Sequence, residues 1–371
     1  MIKYESWDTF DFSNLSDQKI KSILLEQNIP LSVEETKIVQ NEFLNRPPTL
    51  TELVLFSIQG SEHSSYKSSK EHIKHFVTDG PNVILGAKDD AGVVSLSVDN
   101  KGNRYGLVVS HESHNHPSQI VPYEGAATGI GGNVRDVCCM GAEVMALGDS
   151  LRFGGVDRNK TKWIHDGVVS GIAGYGNPLG IPNVCGDLYF DEEYNENCLV
   201  TVLTAGVVKE KSVIRSRSPK NSEGYDLILV GKPTDNSGFG GASFASLELE
   251  EEKKQQNKGA VQEPNAFLER HILKSTYALF EELEADGLIE KVGFKDLGAG
   301  GVACASIELA DAAGLGAEVW VDKVHTSMPK LDSHVILCSE TQERFMWACP
   351  PEITPKILDH YNKKFDFPNV S

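Results

Sequence analysis

Three histidines and a glutamate fall within six residues, in Ser110-His111-Glu112-Ser113-His114-Asn115-His116-Pro117-Ser118-Gln119, directly after the apolar run Leu107-Val108-Val109. An apolar, β-branched run of this kind predicts a buried strand. Polar groups clustered at a strand end are where α/β proteins hold ligands. If the strand continues, Glu112, His114 and His116 share one face, and His111, Ser113 and Asn115 share the other. Glu112 suits magnesium, which prefers oxygen ligands. His114 suits proton transfer near neutral pH.

The surrounding pattern is mixed α/β. Ser32-Val33-Glu34-Glu35 and Thr49-Leu50-Thr51-Glu52 have capping-box spacing. They predict one helix running to Phe43, stopped by Asn45-Arg46-Pro47-Pro48, and a second over Leu53 to Ile58. Strands are predicted at Val83 to Gly86, Gly92 to Val98, Tyr105 to Val109 and Tyr225 to Gly231. A further pair is predicted at Val335 to Cys338 and Phe345 to Cys349. Pro264 to Asp286 has helical spacing, as does Pro355 to Tyr361. The charged run Leu247 to Lys258 is expected at the surface. The basic, polar segment Lys209 to Ser222 is expected to connect two domains.

Glycines recur in Gly125 to Gly132, ahead of an expected helix over Val134 to Met140. Glycine-rich turns are expected at Gly171 to Asn177, Asp235 to Gly241 and Lys295 to Gly301. Glycines before a helix let backbone N–H groups approach a phosphate closely. Neither a P-loop nor a dinucleotide-binding fingerprint is present. Arg135 could clamp an anion, and Glu112, Asp136 and Asp296 form a candidate set of magnesium carboxylates.

The chain has 371 residues and a formal net charge of −18. That balance argues against nucleic acid as a partner, because phosphate backbones need a basic face. No apolar run reaches the length of a membrane span, and the start lacks signal-peptide order. Seven cysteines without a C-x-x-C pair are expected to be reduced, buried thiols of a cytoplasmic protein.

Several of these motifs together resemble phosphoribosylformylglycinamidine synthase of the PurL type. They are Ser61-Glu62-His63-Ser64-Ser65-Tyr66, Glu112 to Ser118, Arg135-Asp136, Asp149 to Gly154, Gly171 to Asp191, Lys295 to Gly301 and Ser339 to Arg344. The resemblance implies two PurM-like domains behind a helical arm, with divisions at 1–55, 56–222 and 223–371. It implies an ATP-dependent ligase of purine biosynthesis. Formylglycinamide ribonucleotide, ATP and ammonia from glutamine give the amidine through an iminophosphate. By motif, His63 and His114 resemble active-site histidines, with His114 the proton acceptor. Tyr66 and Ser110 stand at nucleotide-contacting positions. Ser113, His114, Asn115, His116, Arg135, Gln262, Glu340, Thr341 and Gln342 resemble substrate contacts. Glu112, Asp136 and Asp296 resemble magnesium ligands. The implied partners are a glutaminase subunit of the PurQ type and a small subunit of the PurS type.

The chain also departs from the family. Ser110 stands where lysine or arginine is usual, and Gly60 and Ser64 replace tryptophan and cysteine around Ser-Glu-His. The resemblance extends to only the first of two α/β halves, and the second domain is expected to be cut short. The expectation is a fragment or split subunit, inactive without its second half. Three other readings compete. His114-x-His116 could open a zinc amidohydrolase site. The chain could be a binding module that holds substrate or nucleotide and recruits a partner. It could also serve a related ATP-dependent step such as aminoimidazole ribonucleotide synthesis.

Overall fold

Alternation in Gly92 to Val98 puts Val93 inward and Val94 outward, and the chain obeys it: Val93 is buried and Val94, Leu96 and Val98 are exposed. A computed structural model describes residues 4–86, 88–245 and 258–366. The charged run from Leu247 lies almost wholly outside them.

The arm is α1 (Asp17–Glu26), α2 (Val33–Ile38) and α3 (Leu50–Gln59). Both capping boxes form. Ser32 Oγ accepts from the Glu35 N–H and Thr49 Oγ1 from the Glu52 N–H, and each glutamate reaches back to its cap. A π-helical stretch carries α2 on through Leu44, and Asn45 ends it in the left-handed region at φ 54°. Two short turns follow, α4 (Glu62–Ser65) and α5 (Lys70–Ile73).

Six strands then build a sheet: β1 (Val83–Leu85), β2 (Gly92–Val98), β3 (Arg104–Ser113), β4 (Glu143–Phe153), β5 (Asn183–Phe190) and β6 (Leu199–Lys209). Their spatial order is β1-β2-β3-β6-β4-β5, antiparallel except for β4 and β5. The helices between these strands are α6 (Asn115–Ile120), α7 (Pro122–Cys139) and α8 (Asn159–Leu179). Helix α7 lies across β3, β6 and β4, with α8 beside it. The opposite face carries exposed apolar side chains of the described residues. Val94, Leu96 and Val98 are exposed there, and Val184, Leu188 and Tyr189 are exposed along the β5 edge.

The remainder forms α9 (Gly241–Ala245), α10 (Ala266–Ala285), α11 (Gly301–Asp311), α12 (Ser333–Cys338) and α13 (Thr354–Asp359) around three strands. These are β7 (Asp226–Gly231), β8 (Gly293–Asp296) and β9 (Arg344–Cys349), in the order β7-β9-β8. One hydrophobic core, from Val108 and Ile130 through Leu279 to Trp347, runs through both sheets. No helix of the described residues is long and apolar enough to cross a membrane.

Three expectations are corrected. The glycines at 125–132 do not precede a helix; they lie within α7, whose first residue is Pro122. Gly171 to Asn177 likewise lies within α8. The glycines serve close packing: a Cβ on Gly131 would stand 2.7 Å from Tyr175 Oη, and one on Gly171 would stand 2.3 Å from the Tyr123 carbonyl oxygen. Val335 to Cys338 is helical, in α12, and β9 pairs with β7 and β8 instead. Among the cysteines, Cys185 is exposed and the other six are buried.

Candidate functional site

The strand carrying the histidine cluster ends at Ser113, so alternation stops before His114. That residue takes the N-cap position of α6. The turn is fastened to β6: the His114 N–H donates to the Val200 carbonyl at 2.8 Å, and Asn115 Oδ1 accepts from the Val200 N–H at 2.8 Å. Gln119 Oε1 accepts from the Cys198 N–H at 2.9 Å. Asn115 and Gln119 therefore anchor the loop, and the histidines project from a fixed frame.

A cleft of about 860 Å³ opens beside this turn. Of the residues singled out by motif, His63, Tyr66, Glu112, Ser113, His114, Asn115, His116, Arg135, Asp136, Gln262, Asp296, Glu340 and Gln342 all line it. They come from α4, β3, α6, α7, β8 and the loops before α10 and β9. Ser110 and Thr341 stand behind the wall. Ser110 Oγ donates to Asp136 Oδ2 at 2.9 Å and accepts from Asn133 Nδ2 at 2.8 Å, fixing the carboxylate from beneath. Thr341 Oγ1 donates to Asp235 Oδ1 at 2.7 Å. His111 is exposed and does not line the cleft.

His114 is held as one tautomer. Its Nδ1 contacts the Gly125 carbonyl oxygen, so Nδ1 carries the hydrogen and Nε2 is the basic nitrogen. Burial pushes its pKa down to about 4, so the ring is neutral at pH 7. Gly129 makes this position possible, because a Cβ there would lie 2.9 Å from His114 Cβ. His63 and Tyr66 sit in a turn tied by Glu62, whose carboxylate accepts from the Ser68 and Ser69 N–H groups at 2.7 and 3.0 Å. Tyr66 ends α4 in the left-handed region at φ 51°.

The acidic wall is crowded. Burial, followed by the neighbouring Asp296, pushes Glu112 up to about 7. Burial, Asp90 and other charges push Asp296 to about 6, and burial with Glu112 raises Asp136. Arg135 is fully buried against this wall. Its Nη1 lies 3.4 Å from Glu269 Oε2, its Nε 3.6 Å from Asp296 Oδ2, and its Nη2 donates to Gln342 Oε1. Burial opposes the arginine's charge, and the carboxylates around it more than offset this. Burial likewise pushes Glu269 up, to about 8, against the pull of Arg135.

Glu340 is used as scaffold. It accepts from the Ala242 N–H at 2.7 Å, the Gly300 N–H at 3.3 Å and Gln262 Nε2, joining α9 and the loop before α10 to the start of α11. Gln262 Oε1 is left buried and without a partner.

The motifs did not single out Asp90, Lys295, Glu269 or Glu308. Lys295 Nζ bridges Asp90 and Glu308, the latter at 2.8 Å. The signal available was Lys295 immediately before Asp296, and the Asp89-Asp90 pair just ahead of β2.

Three family models match this chain. AIR synthase related protein, N-terminal domain, matches 88–208; the corresponding C-terminal domain matches 222–364; and the formylglycinamide ribonucleotide amidotransferase linker domain matches 20–67. The phosphoribosylformylglycinamidine synthase subunit PurL of Methanothrix thermoacetophila is 47% identical over 96% of this chain and 46% of its own length. The chain belongs to the PurL family. T. maritima PurL complexed with FGAR is 36% identical, with a TM-score of 0.77 over 90% of this chain and 50% of that one. T. maritima PurL complexed with ATP is 33% identical, with a TM-score of 0.73 over 91% and 50%. The present chain thus spans about half the length of the PurL relatives it matches.

Proposed function

We propose that this chain supplies one half of an ATP-dependent ligase that converts formylglycinamide ribonucleotide, with ammonia from glutamine, to the amidine. The observation that carries the reading is the convergence of His63, Tyr66, Glu112, His114, Arg135, Asp136 and Asp296 on one cleft. T. maritima PurL, to which this chain is similar, forms complexes with FGAR and with ATP, which supports the reading.

The residues divide the work by chemistry. His114, neutral and with Nε2 free of the Gly125 contact, accepts a proton from the incoming nitrogen. Burial, followed by the neighbouring His116, lowers the His63 pKa. Arg135, held by Glu269 and Gln342, presents a fixed cation to an anionic substrate. Magnesium fits the carboxylate wall. Burial first, and neighbouring carboxylates after it, raise the pKa values of Glu112, Asp136 and Asp296, and Asp90 Oδ2 is buried without a hydrogen-bond partner. Glu112, Asp136 and Asp296 would hold the ion, which neutralises charge on a transferring phosphoryl group.

The proposed partners are the second half of a PurL-length protein, a PurQ-type glutaminase and a PurS-type subunit. The exposed face of the six-stranded sheet is the surface offered to the second half, since relatives are about twice as long and apolar side chains lie open there. The domains are proposed to divide at 55 and 222. The test is ADP release with formylglycinamide ribonucleotide, ATP, magnesium and ammonium chloride. Turnover is expected only when the second half is supplied. Robust turnover by this chain alone would overturn the half-site reading, and silence in both cases would favour a binding module.

A further inference from the structure

Beside the magnesium-type carboxylates lies a donor set of different chemistry. Cys139 is in the last turn of α7, three residues after Asp136 and so on the same helix face. The end of β8 brings Asp296 to it, and the loop before β2 brings Asp90. One ligand atom from each of Asp90, Cys139 and Asp296 lies within 4.8 Å of the other two. Donors bound at ~2.0–2.3 Å to one tetrahedral cation stand about 3.3–3.8 Å apart, so at the outer limit of that spacing the three would draw together by roughly 1–1.5 Å on binding.

These donors have spare capacity. The Asp296 side chain is nine-tenths buried, and among the described residues its carboxylate meets Arg135 Nε as an ion pair at 3.6 Å and not as a hydrogen bond. Arg135 Nε is itself without a hydrogen-bond partner. Lys295 takes Oδ1 of Asp90 and leaves Oδ2 buried and unpartnered. Cys139 is fully buried. We propose that Asp90, Cys139 and Asp296 form a thiolate-containing site for a borderline or soft divalent cation such as Zn²⁺. Magnesium gains little from sulfur, whereas zinc, cobalt and cadmium bind thiolate strongly. On binding, the Cys139 S–H bond breaks, its proton passes to solvent and a sulfur–metal bond forms, with no change of oxidation state. Asp90 and Asp296 both line the cleft, so the ion has a path in. Asp296 is also one of the residues proposed to hold magnesium, so the two cations would compete there; only that consequence rests on the proposed function.

The test is a Co²⁺ titration of the full chain under reducing conditions. One cation per chain should produce a thiolate-to-cobalt charge-transfer band and release about one proton. The band should survive a roughly hundredfold excess of Mg²⁺. Cys139→Ser should abolish it and weaken Co²⁺ binding at least about tenfold. Cys185→Ser, which removes the exposed thiol, should leave the band intact. Absence of the band from the wild-type chain, or its persistence in Cys139→Ser, would overturn the site. Should Cys139→Ser fail to fold, ¹¹³Cd NMR of the wild-type chain decides: a sulfur-and-oxygen environment supports the site, and an all-oxygen one removes it.

Discussion

Arg135 on α7 and Glu269 on α10 face each other with no exposed side-chain surface, Nη1 3.4 Å from Oε2. This pair joins the helix that covers the large sheet to the helix that packs near the small one. Removing one partner of a buried pair leaves the other uncompensated. Arg135→Ala should therefore destabilise the chain by about 3–5 kcal/mol in urea unfolding. Arg135→Lys keeps the charge but loses the planar fork, so its cost should be clearly smaller. Equal losses for the two variants would show that the planar fork, and not charge or volume, is what matters at this position.

Gly129 and His114 touch across the α6–α7 contact. A methyl at 129 would stand 2.9 Å from His114 Cβ and 3.3 Å from Cγ. Gly129→Ala should cost about 1–3 kcal/mol by overpacking. It should also displace the ring that the Gly125 carbonyl orients. In the complemented enzyme, the expected result is a larger fall in kcat than in substrate affinity. A variant with unchanged kcat would mean that the ring position is not critical.

The carboxylate wall carries a pH signature. Glu112 and Asp296 are pushed up to about 7 and about 6, above the ordinary values near ~4 of an unfolded chain. A raised folded-state pKa contributes stability that is present below the unfolded value and lost as pH rises through the folded value. The metal-free chain should therefore lose stability between about pH 4 and pH 7. Magnesium should restore more of it at pH 8 than at pH 5.5. Thermal melts with and without magnesium chloride at those two pH values make the comparison. An equal shift at both, or a full shift in Asp136→Asn, would argue against a cation on this wall.

Much of this site was legible before the fold was known, for a specific reason. Glu112, Ser113 and His114 are neighbours in the chain, so motif and place coincide. Arg135-Asp136 and Lys295-Asp296 are likewise local pairs. What was not legible depended on tertiary contact. The glycine patterns of α7 and α8 suggest a pre-helix stretch and a turn, whereas in the fold they let Tyr175 and Tyr123 approach a helix backbone. Val335 to Cys338 looks like a strand by composition but packs against α3 and α11 as a helix. Lys295 meets Asp90 across 205 residues, a distance no local pattern spans. Ser110 and Thr341 lie within motif segments yet stand behind the wall, because a motif fixes neighbourhood and not the direction of a side chain.

His114 offers a direct spectroscopic check. Its ring should titrate near pH 4, well below the ordinary histidine value of ~6.5. Because the folded pKa is depressed, the neutral ring's contribution to stability is fully present above ~6.5 and is lost as pH falls toward the folded value. The NMR signals of the ring nitrogens should report an Nδ1–H tautomer throughout the neutral range. A ring that protonates near or above pH 6.5, or carries its hydrogen on Nε2, would remove the assignment of Nε2 as proton acceptor.

The exposed sheet face gives the last prediction, and it separates folding from assembly. Leu96 is 53% exposed at the middle of β2, with Val94 and Val98 beside it on the same face. A charge at an exposed position of this kind changes stability by no more than about 0.5 kcal/mol. Leu96→Glu should therefore melt like the wild-type chain. If the second half docks on this face, the same glutamate is buried in an apolar interface without a partner. Affinity for the separately expressed second half should then fall at least about tenfold, and turnover at limiting concentrations should fall with it. Val93→Glu is the contrasting variant, because Val93 points into the core and is fully buried; it should unfold the chain. Normal reconstitution by Leu96→Glu would move the docking surface elsewhere while leaving the proposed chemistry of the cleft untouched.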